Sequence, residues 1–446
     1  MGVLSLFSAF LLIICGIYFT AKSKFFQFLH LKTVFKVTVG RLLRGKNLSG
    51  FKAMSLALGS TIGIGNIIGV TAAILVGGSG AVFWMLITGF TGMIIKYAEI
   101  YISVSDAKNN NRKSGGPMYV LSNIYSGKFK HGGYVFAVVT VLASFFAGNI
   151  LQSKSIYKFA EIGFNISFLP ITVVLIPLLF IIISGKDRVY QNVSSVLVPL
   201  MSLFYVGATL MIIFTNIKNL PNALFSIFTS AFGFKQAVGG FSGAVLSSAL
   251  KTGVMKGLFT HEAGMGSSPI AHSSAENADP FCQSCWGIVE VFFDTVVVCM
   301  LTALAVLSSP DYLNSVSNNP FDLIFYIFRS AFGSFGAKAL SISACCFAFA
   351  SIIGWSFYGI KSMQYLTENS FVLKAYKFVF VLIVPMSLII TDQFAWTLTD
   401  LFNSLMLIIN SILLLVLGGE AVAPLGNFKS VLEFKVKKRY NHLIRR

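Results

Sequence analysis

Apolar stretches of about twenty residues recur eleven times along this 446-residue chain, at about 3–21, 54–77, 81–105, 134–162, 168–184, 192–216, 237–258, 284–308, 338–365, 372–391 and 395–418. Each is close to the roughly 20 residues that a helix needs to cross a bilayer. Backbone groups in hydrocarbon must pair within the chain, which restricts runs of this length and hydropathy to helices. The expected fold is an all-α polytopic membrane protein with eleven transmembrane helices. Composition agrees: 55% hydrophobic and 11% charged residues, with a mean hydropathy of +0.78, exclude an ordinary soluble domain and a disordered chain.

The first stretch lacks a basic leader and is followed by Lys22, Lys24, Lys32 and Lys36, which marks a retained helix rather than a cleaved signal. Threading eleven spans from an outside N-terminus puts about 28 of the 34 Lys and Arg on the cytoplasmic side, including the tail KVKKRYNHLIRR. The C-terminus is therefore expected in the cytoplasm. The formal charge of +18 is spread over inner loops, so it fits membrane orientation and anionic lipid rather than nucleic acid. The six cysteines lie mostly within spans or on the reducing side, and the one CxxC, Cys282 with Cys285, lacks two further ligands for a tetrahedral metal.

After a leading helix and basic segment (1–53), five spans occupy 54–216 and five more fall within 217–418, followed by a basic tail (419–446). An odd number of spans per half places the halves in opposite orientations, the mark of an inverted repeat. The longer polar connections are 22–52, 106–133 and 257–283 inside and 217–236 and 309–337 outside.

The second stretch contains GSTIGIGNIIG, Gly59 to Gly69, where four glycines surround Ser60, Thr61 and Asn66 at membrane depth. A loosened backbone survives there only if it lines a cavity or holds a ligand, because each bare polar group costs roughly several kcal/mol. Glycines four apart also suit close helix packing, but packing does not require an amide and a hydroxyl. A dinucleotide fingerprint is excluded by the missing final glycine and the absence of a surrounding strand. A second glycine-rich stretch, AVGGFSGAVLSSA at 237–249, opens the other half. Paired interruptions of this kind point to a transporter's central site.

Several other groups carry chemistry. Glu290 and Asp294 share one face of the eighth span and suit a proton relay, a cation site or a structural network with Lys251 and Lys256, the last favoured by their inner position. Lys96 and Glu99 read as an ordinary interfacial ion pair. THEAGMGSSPIAH, with His261, Glu262 and His272, lacks the HExxH spacing of a zinc helix and reads as a hinge or gate, its Gly264, Gly266 and Pro269 suiting a tight turn. Gln152 in the fourth span suits interhelical bonding, and Trp355 lies one turn after Ser351 on the same face, placed to close a small pocket.

Together GSTIGIGNIIGV, GGSGAVFWMLITGFTGMIIKYAE, GGPMYVL (115–121), KGLFTHEAGMGSSPIAH (256–272), EVFFDTVVVCMLTALAVL (290–307) and FAFASIIGWSFYG (347–359) resemble the sodium:alanine (alanine or glycine:cation) symporter family, in order and over most of the chain. The resemblance implies the five-plus-five fold of the leucine transporter LeuT, location in the cytoplasmic (inner) membrane, and uptake of a small neutral amino acid coupled to sodium, with proton coupling as the alternative. It implies a first core helix broken at Ser60 to Asn66 and a sixth broken at Gly239 to Gly243. Substrate contacts then fall to Thr61, Gly63, Gly65, Asn66, Gln152, Gly240, Phe241, Ser242, Gly243 and Trp355. By analogy with LeuT, the carbonyls of Gly59 and Ile62 face Ala348 and Ser351 across one sodium ion. Three positions depart from the family: Ile64 replaces threonine at the pocket edge, His261 replaces asparagine, and Lys256 replaces arginine, the last two expected to alter the inner gate. No enzymatic activity and no cofactor is expected, since the histidines, cysteines and carboxylates form no spaced catalytic set. A channel is disfavoured because polar groups cluster at mid-membrane instead of lining a path.

Overall fold

The computed structural model describes residues 3–124, 130–232, 242–310 and 319–427, with side chains described from residue 7 in the first stretch and from residue 248 in the third. Every regular element among the described residues is a helix. Seven of them are long and apolar enough to cross a membrane: Gly80–Asn109, Lys130–Phe164, Asp187–Thr215, Pro280–Ser308, Pro320–Leu366, Ser370–Ile389 and Asp392–Gly426. An eighth span is formed if the bent pair Leu48–Thr61 and Ile64–Gly77 counts as one. The remaining expected spans are weaker by length or charge. Phe7–Lys22 and Phe168–Ser184 are apolar but shorter, and Ser242–His261 carries Lys251 and Lys256 within its 20 residues. The basic tail from 428 onward lies outside the described residues.

The expected loops are more helical than their polarity suggested. Leu220–Ala231 is a helix inside the 217–236 connection. The 309–337 connection gives way at Pro320, where the Asn319 side chain accepts from Phe321 N–H at 2.9 Å and starts the Pro320–Leu366 helix. That cap and a proline in the first turn are strong start signals. Gly333, at φ 62°, then kinks the helix between a buried stretch that includes Leu323 and Phe328 and the longer buried stretch that carries Ala348 and Ser351.

The Gly80–Asn109 helix packs between Ser242–His261 and Pro280–Ser308, while Pro320–Leu366 packs against Lys130–Phe164, Asp187–Thr215 and Leu48–Thr61. The Ile68–Gly77 helix leans on Ser242–His261. Outer helices leave large apolar side chains exposed, among them Val173, Ile181, Leu200, Leu203 and Phe371. In water each exposed square ångström of this kind costs roughly 25 cal/mol, a penalty that lipid removes. The inverse holds inside, where Lys96, Glu99, Glu290, Asp294, Asn66, Gln152 and His272 are all buried.

Candidate functional site

The first break begins where the helix Leu48–Thr61 ends. Ile62 turns to an extended ψ of 94° and Gly63 is fully extended at φ −134°, ψ −154°. A single turn, Ile64–Asn66, precedes the next helix, and the axis bends by 59°. Crowding favours glycine at position 63: a Cβ there would sit 2.6 Å from Ser351 Oγ and 3.2 Å from Gln152 Oε1, so those side chains would have to shift. The Asn66 side chain braces the break from within. Its Oδ1 accepts from Gly63 N–H at 3.1 Å and its Nδ2 donates to Asp294 Oδ1 at 2.7 Å. Both amide functions of Asn66, expected at the substrate, are thus engaged by the protein.

A helical interruption that meets this break lies at 262–267, after His261. Gly239, Gly240 and Phe241 lie outside the described residues, and Ser242 and Gly243 open the helix Ser242–His261. That helix runs unbroken to His261, after which residues 262–267 are irregular, with left-handed backbone at Glu262 (φ 49°), Gly264 (φ 84°) and Gly266 (φ 78°). The short helix Ser268–His272 follows. Phe259 and Thr260, just before the irregular segment, press on Gly65 of the first break.

Between the two interruptions lies a small void lined by Thr61, Gly63, Gly65, Gln152, Phe259, Glu262, Trp355 and Asn403, with Ser60 and Ala147 completing the wall. The sequence reading placed five of these here; Phe259, Glu262 and Asn403 escaped it. Gln152 follows directly on a wide helical turn at Phe146–Ile150, a local insertion that commonly marks functional helices. Its Nε2 donates to Ala147 O at 3.4 Å, leaving Oε1 buried and without a hydrogen-bond partner among the described residues. Trp355 is buried, with its ring 5.6 Å from that of Tyr358, whose hydroxyl bonds Ser60 Oγ at 2.6 Å.

Next to the void, Ser351 Oγ donates to Gly59 O at 3.2 Å and Ile62 O at 3.4 Å. Ala348 is buried one turn earlier on the same helix. The two carbonyls freed by the break and the hydroxyl opposite are oxygens of the kind a hard monovalent cation takes.

A cavity of about 1180 Å³ leads from the ends of the bundle at 166–168, 319–321 and 388–392 to Ile64, Lys256 and Trp396. Lys256 Nζ sits 4.5 Å from the Trp396 ring centroid, and Trp396 in turn packs on Phe259 at 5.3 Å. Lys256, expected at the inner gate, lines this large cavity. Ile64, which stands in place of the family's threonine, lines the same cavity.

On the opposite side the path is filled by a buried polar network. Lys96 Nζ donates to Ser268 Oγ at 2.7 Å and pairs with Glu290 at 3.4 Å and Glu99 at 3.8 Å. The expected interfacial pair Lys96–Glu99 is thus a fully buried one, and the partner of Glu290 is Lys96 in place of Lys251 or Lys256. Gln283 Nε2 donates to His272 Nδ1 at 2.7 Å, which leaves the Nε2–H to donate to Glu290 Oε2 at 2.9 Å. Asn410 Nδ2 and Gly266 N–H both donate to Glu99 Oε2, at 3.0 and 3.1 Å. His261 lies above, buried beside Gly92, with Nδ1 accepting from Ala263 N–H at 3.0 Å.

The chain is 32% identical over 443 residues to the sodium/alanine symporter AgcS of Methanococcus maripaludis, covering 96% of this chain and 95% of that one. It is 33% identical over 440 residues to the uncharacterized transporter YflA of Bacillus subtilis, covering 95% and 90%. Among solved structures, MhsT in complex with L-phenylalanine superposes with a TM-score of 0.56 at 15% identity, covering 84% of this chain and 88% of that one. The fold is of the LeuT type. The protein is a multi-pass membrane transporter and not an enzyme. The sodium:alanine symporter family matches residues 3–442, and the chain belongs to it.

Proposed function

We propose that this protein is a secondary active symporter that imports a small neutral amino acid, such as alanine or glycine, together with sodium. The observation that carries the reading is the meeting of Ser351 Oγ with the freed carbonyls of Gly59 and Ile62, beside a void closed by Gly63, Gln152 and Trp355. Sodium binds at Gly59, Ile62, Ala348 and Ser351, and the amino acid binds against Thr61, Gly63, Gly65, Gln152, Phe259 and Trp355. Asn66 acts as the brace of the break. The chain crosses the cytoplasmic membrane eleven times, N-terminus outside and C-terminus inside, as a leading helix and two inverted halves of five.

In this orientation the large cavity opens outward and the Lys96 network seals the inner side, which makes the conformation an outward-facing one. Alternating access then requires the network to part while the Phe259, Trp396 and Lys256 layer closes. One monovalent cation crossing a 100 mV potential supplies about 2.3 kcal/mol, enough for a gradient of about fiftyfold in a neutral co-substrate. The test is uptake of labelled alanine into proteoliposomes, saturable and dependent on sodium. Uptake that survives replacement of sodium by choline at fixed pH, and follows an imposed pH gradient, assigns proton coupling instead.

A further inference from the structure

The connection between the first helix and Leu48 gathers charge of one sign: Lys22, Lys24, Lys32, Lys36, Arg41, Arg44 and Lys46 fall within residues 22–46, which contain no Asp or Glu. Three short helices, Phe26–Leu29, Leu31–Val37 and Val39–Leu42, order it and sort its residues by face. Phe26, Gln27, Val34 and Thr38 are buried, whereas the seven cationic residues are all exposed. Among them stand exposed apolar side chains, Phe25, Phe28, Leu29 and Leu43, the last two 72% and 82% exposed. Lys32, Lys36, Arg41, Arg44 and Lys46 enter no ion pair within 4 Å among the described residues.

Like charges crowded beside exposed Phe and Leu are unfavourable in water and favourable at an anionic bilayer surface. There the apolar side chains enter the acyl boundary, and the Lys and Arg heads reach the phosphates. A soluble phosphate or a nucleic acid would satisfy the cations and leave the apolar residues in water. The underside of the segment is fixed to the transporter core. The Phe26 ring lies 6.2 Å from that of Tyr97, and Phe35 meets Phe292 edge-on at 5.7 Å. Cys282 Sγ donates to Val37 O at 3.1 Å and accepts from Asn47 Nδ2 at 3.3 Å. Beside it, Gln283 Nε2 donates to Gly50 O at 3.2 Å and to His272 Nδ1 of the buried network at 2.7 Å. The segment is thus fastened to the Pro280–Ser308 helix, which carries both Glu290 and Asp294. We propose that residues 22–46 are a docking surface for anionic phospholipid headgroups, and that their binding steadies this helix and with it the Lys96 network. That the leaflet is the inner one rests on the orientation proposed above; the surface itself does not.

The test uses the full-length protein purified in neutral detergent, with its melting temperature followed as short-chain phosphatidylglycerol, phosphatidylcholine or glycerol phosphate is added. Phosphatidylglycerol alone should raise the melting temperature, and less so at high salt, because screening weakens exposed charge. The variant carrying Lys32→Gln, Lys36→Gln, Arg41→Gln and Arg44→Gln should need about tenfold or more phosphatidylglycerol for the same rise. If the fourfold variant does not fold, the pairs Lys32→Gln with Lys36→Gln and Arg41→Gln with Arg44→Gln carry the comparison. Lys32→Arg with Lys36→Arg, which keeps the charge, should respond as wild type. A variant response equal to wild type, an equal effect of phosphatidylcholine, or an equal effect of glycerol phosphate overturns the docking surface. In proteoliposomes, wild-type uptake of labelled alanine should be faster with phosphatidylglycerol present than in phosphatidylcholine alone, and the fourfold variant should lose that difference. Wild-type uptake equal in the two lipids overturns the link to the Lys96 network. Sidedness is read separately: labelling of Lys36→Cys by an impermeant maleimide added outside sealed right-side-out vesicles would overturn the orientation and leave the lipid response standing.

Discussion

The amide of Asn66 and the carboxylate of Asp294 meet at 2.7 Å, although the residues are 228 positions apart. Thr295 Oγ1 donates to the other carboxylate oxygen at 2.9 Å, so Asp294 is held by neutral donors directly behind the first break. Replacing Asn66 by alanine removes the brace on Gly63 N–H and leaves Asp294 short of a donor. The expected cost is about 1–3 kcal/mol of stability, read as a lower melting temperature in detergent. Asp294→Asn preserves an acceptor for Asn66 and should melt closer to wild type than Asp294→Ala; equal melting of the two would remove Asp294 from this structural role.

Ser351 Oγ is within hydrogen-bond distance of both carbonyls assigned to sodium, and its helix brings no carboxylate to the same place. Ser351→Ala should therefore raise the sodium concentration for half-maximal alanine uptake about tenfold, the equivalent of about 1.4 kcal/mol. Uptake at saturating sodium should fall much less. An unchanged sodium dependence would place the ion elsewhere.

Gly63 links the two halves of the site through space alone. A methyl group at this position forces Ser351 Oγ, 2.6 Å away, to turn from the Gly59 and Ile62 carbonyls, and also crowds Gln152. Overpacking of this kind typically costs about 1–3 kcal/mol. Gly63→Ala is thus expected to lower both sodium and alanine affinity while the protein still reaches the membrane, checked by uptake kinetics normalised to surface amount.

The helical class and the first break were legible because they follow from hydrocarbon's intolerance of unpaired backbone: Gly63 and Asn66 stood out as residues that a plain span has no use for. The irregular segment at 262–267 was not legible for a related reason. The glycine-rich stretch at 237–249 lies partly outside the described residues, whereas Gly264 and Gly266, with left-handed backbone, sit in a polar segment that hydropathy assigns to a loop. Lys96 and Glu99 show the limit of local spacing. Three residues apart near a helix end, they look solvated, and nothing nearby in sequence reveals that Ser268, 172 positions away, completes a buried cluster. Phe259 and Asn403 carried no local signal, since an aromatic and an amide in an apolar helix ordinarily pack or bond a neighbour.

Lys96 provides the sharpest test of the inner seal. It is the cation within salt-bridge distance of both Glu99 and Glu290, and all three side chains are withdrawn from solvent. Removing one member of a buried pair leaves an uncompensated charge and costs about 3–5 kcal/mol, whereas removing both partners together can be nearly neutral. Lys96→Met should accordingly lower thermal stability strongly and depress uptake. Adding Glu290→Gln to Lys96→Met should recover part of the stability, because the amide still accepts from the Ser268 hydroxyl, which donates to Glu290 Oε1 at 2.8 Å, and the one carboxylate left without its cation, Glu99, keeps the Asn410 and Gly266 donors. Uptake separates the roles further. If the network serves only as packing, the double variant transports as soon as it is stable. If it serves as a gate that must re-form in each cycle, the double variant is stable but slow, and accumulates alanine to a lower steady level because the inner side leaks.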